Sequence, residues 1–215
     1  MLPDSPPFPS IKVCGLTRAE DAQAAYQAGA DALGVVAVSQ SPRAVTAQLA
    51  LQVFADLPAE VWKVAVSVNA SPADVMDFCQ TSGCNAVQLC GAEQAEEWND
   101  FPLPILRRIG VDSSALSTMP TWAATAWGFV LDHPSAAGGT GKNVDPILAR
   151  SLAAQHRCLL AGGIHPENVS HLIQQVQPAG VDASSGLEAS PGMKNLPKMT
   201  AYIQNARTAL EAIQI

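Results

Sequence analysis

No run in this 215-residue sequence approaches the roughly 20 consecutive apolar residues needed to cross a bilayer, so no membrane-spanning helix is expected. Basic residues are scarce as well. Twelve Lys and Arg against nineteen Asp and Glu give a net charge of -7, with no basic block, which argues against nucleic acid or an anionic membrane as partner. The cysteines Cys14, Cys79, Cys84, Cys90 and Cys158 are odd in number and form no CxxC pair. Neither a disulfide framework nor a zinc cage is indicated, and the free thiols suit a reducing cytoplasm. His133, His156, His165 and His171 lack metal-ligand spacing and read as structural or solvated. The opening MLPDSPPFPS lacks the basic-then-apolar order of a signal peptide, so residues 1–10 read as a flexible leader.

Apolar residues, by contrast, are plentiful: 48% hydrophobic against 14% charged is enough to bury one core without disulfides or metals. One domain over residues 11–215 is expected. Short β-branched runs alternate with Ala-rich stretches of helical period, the βαβα pattern of a parallel sheet. The strand candidates begin at Ile11, Ala32, Lys63, Ala86, Pro104, Gly128, Cys158 and Gly180. Between them, segments such as AEDAQAAYQAG (Ala19 to Gly29) and ADVMDFCQTSG (Ala73 to Gly83) have helical spacing and end on a capping glycine. Val111 to Thr125 is weakly patterned and predicts a short or irregular fifth helix. Eight units of about 27 residues predict an α/β fold, a single (β/α)8 TIM barrel. A doubly wound open sheet is the alternative, because local pattern does not show closure.

In such barrels the loops after the strands carry the site. That rule selects Cys14, Arg43, Asp132, Gly162-Gly163 and Ser184-Ser185-Gly186. The last two groups, at neighbouring strand ends seven and eight, suit a phosphate cradle, since glycines let backbone N–H groups approach an anion and hydroxyls add donors. A tight turn is the other reading of the glycine pair. Cys14 is either a reactive thiol or a packing residue. Asp132, at the rim of an apolar barrel, is expected to have a raised pKa suited to a general acid, or else to cap a turn. Arg43 has the fork to hold a carboxylate bidentately, or forms a surface salt bridge. AAGGTGK (Ala136 to Lys142) lacks P-loop spacing and reads as a flexible active-site loop.

Six ordered motifs then stand together: KVCGLT, SPR, VQLCG, LDHPSAAGGTGK, LAGGIHPENV and DASSGLEASPGMK. With them the chain resembles the phosphoribosylanthranilate isomerase family from Ile11 onward. The resemblance implies a cytoplasmic aldose–ketose isomerase of tryptophan biosynthesis, an intramolecular oxidoreductase that performs an Amadori rearrangement on a small phosphosugar without metal or cofactor. It implies Cys14 as general base and Asp132 as general acid. It also implies that Arg43 holds the anthranilate carboxylate, and that Gly162, Gly163, Ser184, Ser185 and Gly186 hold the phosphate. A monomer or homodimer is expected.

Several positions depart from the family pattern. Cys90 replaces a histidine, Ala37 and Ser67 replace phenylalanines, Val144-Asp145-Pro146 replaces FDW and Asn195 replaces an aspartate. These changes predict a looser, wetter aromatic pocket. Two other functions fit a phosphate-binding barrel. One is the related histidine-pathway isomerisation, normally served by two aspartates, where strand one here has cysteine. The other is a noncatalytic sugar-phosphate-binding barrel.

Overall fold

A computed structural model describes residues 7–134 and 144–213; the 136–142 segment and residues 1–6 lie outside the described residues. Eight parallel strands form a closed barrel in sequence order. They are β1 (Ile11–Val13), β2 (Ala32–Val36), β3 (Trp62–Ser67), β4 (Ala86–Leu89), β5 (Ile105–Gly110), β6 (Gly128–Asp132), β7 (Cys158–Leu160) and β8 (Gly180–Ala183). Closure comes from β1 pairing with β8, Lys12 opposite Asp182, which removes the open-sheet alternative.

The outer ring holds α1 (Ala19–Gln27), α2 (Ala47–Val53), α3 (Pro72–Ser82), α4 (Ala115–Trp122), α5 (Pro146–Ala153), α6 (Val169–Val176) and α7 (Leu196–Ile213). Their starts follow from local chemistry. Thr46, Ser71 and Asp145 each accept a backbone N–H of the first turn, and Pro72 and Pro146 occupy the first helical position, where an N–H is not missed. Gly83 ends α3 in the left-handed conformation. The helix after β5, α4, has eight residues with Pro120 inside it, as its weak pattern suggests. The unit after β4 departs from the helical expectation, since only one 3-10 turn (Ala95–Trp98) connects β4 to β5. The buried Trp98 there packs at a tilt against Phe101, ring centroids 4.9 Å apart, and supplies the apolar contact that a helix face would otherwise make.

The strands are buried on both faces. Outward side chains pack under the helices, while Ala32, Val64, Ala86, Leu106, Val130 and Leu159 fill the barrel interior. The floor is aromatic. Trp62 lies 4.6 Å from Trp127, Phe8 lies 4.9 Å from Trp127, and the Trp62 indole N–H donates to the Pro7 carbonyl at 2.9 Å. Of the residues expected to be a leader, 7–10 are therefore in contact with the barrel floor. Phe8→Ala is expected to lower unfolding free energy by about 1–2 kcal/mol in urea denaturation. An unchanged midpoint would show that this segment does not close the barrel.

Candidate active site at the carboxyl end of the barrel

Side chains two residues apart on a strand share a face. The interior apolar plug therefore gives way, one step further up, to Cys14 after β1, Cys90 after β4, Arg108 on β5, Asp132 on β6 and Ser184 after β8. Together with the loops after β2, β7 and β8 they surround a cavity of about 400 Å³, a size suited to a small ligand. All eight site residues expected from the sequence line it: Cys14, Arg43, Asp132, Gly162, Gly163, Ser184, Ser185 and Gly186.

One wall is made almost wholly of backbone. Gly162 and Gly163 have φ of 83° and 63°, a left-handed succession that side-chain-bearing residues rarely adopt. The Asn168 amide fixes this turn by donating to the Gly163 carbonyl at 2.8 Å and accepting from the His165 N–H at 2.8 Å. The next loop is pressed against it, since a Cβ on Gly186 would lie 2.1 Å from the Ile164 carbonyl oxygen. The two loops thus form one surface that admits an anion close to the main chain.

A buried polar network lies beside this wall, and local pattern gives no sign of it. The loop after β8 contains a small antiparallel ribbon, β9 (Glu188–Ser190) and β10 (Met193–Lys194), which returns Glu188 and Lys194 to the mouth. Glu188 accepts both Nε and Nη2 of Arg43 at 2.7 Å, and also Nζ of Lys194 at 3.0 Å. Burial pushes the Glu188 carboxyl up, but the Arg43 hydrogen bonds and the Lys194 charge outweigh it and hold it below its ordinary value. The Arg43 fork is thus engaged inside the protein, with its remaining N–H groups left for a ligand.

Beneath Cys14, Lys12 donates to Asp182 Oδ2 at 2.9 Å, with both side chains buried. Burial pulls the Lys12 ammonium down, yet Asp182 and Cys14 more than reverse this and raise its pKa, so it is firmly charged. Burial raises the Cys14 thiol on balance, and the Lys12 charge is the largest influence limiting that rise. Burial pushes Cys90 up to about 12, against a hydrogen bond from Gln88 and the charges of Arg108 and Lys12. The two thiols in the mouth differ in what opposes burial: at Cys14 the Lys12 charge comes first, whereas at Cys90 it is the Gln88 hydrogen bond. The packing here is close. A Cβ on Gly34 would lie 2.9 Å from Cys14 Sγ and 3.3 Å from Lys12 Nζ, so only glycine leaves room for the pair.

Asp132 does not have the apolar setting expected from the run GFVL. Its Oδ1 accepts the His133 N–H at 2.8 Å, and its Oδ2 accepts Nε of Arg108 at 3.2 Å. The aromatic end also differs from expectation. Val36, Val38, Val66 and Val68 line the cavity, whereas Ala37 and Ser67 do not. Aliphatic side chains thus line that wall. Gln88 Oε1 and Asp182 Oδ1 are buried at the cavity without a hydrogen-bond partner among the described residues. Lys12, Asp182, Gln88, Arg108, Glu188 and Lys194 went unselected by the strand-end rule. For Lys12 and Asp182 the available signal was their place two residues before Cys14 and Ser184.

Known proteins match this chain in sequence and in fold. The family model described as N-(5'phosphoribosyl)anthranilate (PRA) isomerase matches residues 11–205. The N-(5'-phosphoribosyl)anthranilate isomerase of Pelobacter propionicus is 38% identical over 200 residues, covering 92% of this chain and 95% of its own. That of Thermosynechococcus vestitus is 38% identical, covering 91% and 89%. The crystal structure of phosphoribosyl anthranilate isomerase from Thermotoga maritima superposes with a TM-score of 0.86 at 32% identity, covering 94% of this chain and all of that one. Another isomerase structure, in complex with reduced 1-(o-carboxyphenylamino)-1-deoxyribulose 5-phosphate, gives a TM-score of 0.83 at 31% identity, with coverage of 94% and 100%. On sequence and architecture together, the chain belongs to the N-(5'-phosphoribosyl)anthranilate isomerase family.

Proposed function

We propose that this barrel catalyses the Amadori rearrangement of N-(5'-phosphoribosyl)anthranilate to the 1-deoxyribulose 5-phosphate product in tryptophan biosynthesis, with Asp132 as general acid and Cys14 as general base. The observation that carries this reading is the order of groups around the mouth. Asp132 on β6 and Cys14 after β1 flank the two strands, β7 and β8, whose loops form the glycine-rich wall. A substrate anchored there by its phosphate through Gly162, Gly163, Ser184, Ser185 and Gly186 has its ribose between acid and base.

The chemistry follows from those positions. Asp132 gives a proton to the ribose ring oxygen, the C1'–O bond breaks, and the nitrogen lone pair forms a Schiff base. The Cys14 thiolate, supported by Lys12, then removes the C2' proton. Those electrons move towards nitrogen to give an enolamine, which tautomerises to the ketone. Arg43 turns its remaining N–H groups to the anthranilate carboxylate, and the valine wall takes the ring.

The partner is a small phosphosugar and the setting the cytoplasm, with the enzyme a monomer or homodimer. The net charge of -7 disfavours nucleic acid, and among the described residues no helix is long and apolar enough to cross a membrane. The direct test is to add purified protein to the fluorescent substrate. Steady loss of substrate fluorescence with formation of the ketose is expected. A protein that binds phosphosugar without consuming the substrate would be a binding barrel, and the isomerase reading would fail.

A further inference from the structure

We propose that Arg108 is a second specificity determinant for the carboxylate on the substrate's aromatic ring, sharing that group with Arg43. The inference rests on the isomerase reading above and adds a residue to it. The adjacent arginines of β5 part to opposite faces. Arg107 points outward, where it pairs with Glu93 and lies 4.8 Å over the Trp122 ring. Arg108 follows Leu106 on the interior face and reaches the cavity.

Among the described residues that line the cavity, Arg43 and Arg108 are the only cations. Their surroundings differ. Arg43 has one full edge of its guanidinium on Glu188, so much of its charge is already matched. Arg108 makes single contacts, Nε to Asp132 at 3.2 Å and Nη2 to the His133 carbonyl at 2.7 Å, and no described residue accepts from its Nη1. Arg108 is 15% exposed, so a ligand in the mouth can reach it.

The surroundings favour an anion at this point. Arg108 is on β5, between β4 and β6, and lines the cavity together with the small Cys90 side chain. The valine wall from β2 and β3 lines the same cavity as both arginines, so a benzene ring on that wall has two cations in one mouth. One guanidinium can thus donate through Nε to Asp132 and through Nη1 to a ligand carboxylate.

The test compares two ligands across one substitution. Calorimetry measures binding of reduced 1-(o-carboxyphenylamino)-1-deoxyribulose 5-phosphate and of the same compound without its ring carboxylate, to wild type, Arg108→Met and Arg108→Lys. Arg108→Met is expected to weaken the carboxylated ligand about 10- to 100-fold more than the other, and Arg108→Lys to recover part of the loss. Equal weakening of both ligands, or of neither, would overturn the inference by showing that Arg108 only props Asp132 or the strand. Unchanged inorganic phosphate binding confirms that each variant is folded. Wild-type turnover of the substrate, measured separately, tests the isomerase reading, so the two fail independently.

Discussion

Cys14→Ala is expected to lower turnover of phosphoribosylanthranilate by about 10²- to 10⁴-fold, the usual range for removal of a positioned proton-transfer group. Asp132→Asn is expected to do the same. The glycine wall does not depend on either side chain, so inorganic phosphate or ribose 5-phosphate should bind both variants as tightly as wild type. Cys14 faces Gly34 and Lys12 in close packing, and alanine there removes a sulfur without adding volume. Cys90 should not substitute for it, because it follows β4, on the far side of the closed barrel from β8 and the anion wall. Steady-state rates and phosphate titration decide the matter. A variant within about tenfold of wild type removes that residue from the mechanism.

Lys12→Met is expected to cost about 3–5 kcal/mol of stability at pH 7–8, because it strands a buried carboxylate. Lys12 and Asp182 are 0% and 7% exposed and join strands that close the barrel. Burial already raises the Asp182 carboxyl, and Lys12 is the largest influence limiting that rise. Without Lys12 it rises further. A raised acid costs the folded state stability as pH climbs above the acid's unfolded value, so the deficit should be smallest near pH 4 and larger at pH 8. In the wild type, Lys12 itself is raised by Asp182, so its contribution is intact below its unfolded value of 10.5 and is lost only at higher pH. Lys12→Met with Asp182→Asn should recover much of the loss. Urea denaturation of the three proteins at pH 4 and pH 8 checks both statements. A deficit equal at the two pH values would mean lost packing rather than a stranded charge.

The strands and most helices were legible because their signals are local. A run such as GVVAV or CLLAG declares a buried strand within a few residues, and Ser71-Pro72 or Asp145-Pro146 declares a helix start. The helix replaced by the 3-10 turn after β4 was not legible, since EQAEEW has adequate helical composition and tertiary contact of Trp98 decides the outcome. Which residues of a strand face inward was harder still. Strands buried on both faces show no apolar–polar alternation, so nothing in the run distinguishes Val36 and Val66, which line the cavity, from Ala37 and Ser67, which do not.

By itself, then, the sequence determined the eight strands, the strand ends that carry reactive residues, and the glycine and serine pairs of the anion wall. Each of these depends on neighbours in the chain. Only the tertiary structure decided what partners those residues have. Lys12 meets Asp182 across 170 positions and Arg43 meets Glu188 across 145, so no window of local pattern contains both members of either pair. The ion pair that supports Cys14, the acid that engages Arg43 and the arginine that reaches Asp132 all depend on the barrel's closure and stagger. Those are properties of how the strands assemble, and no single strand encodes them.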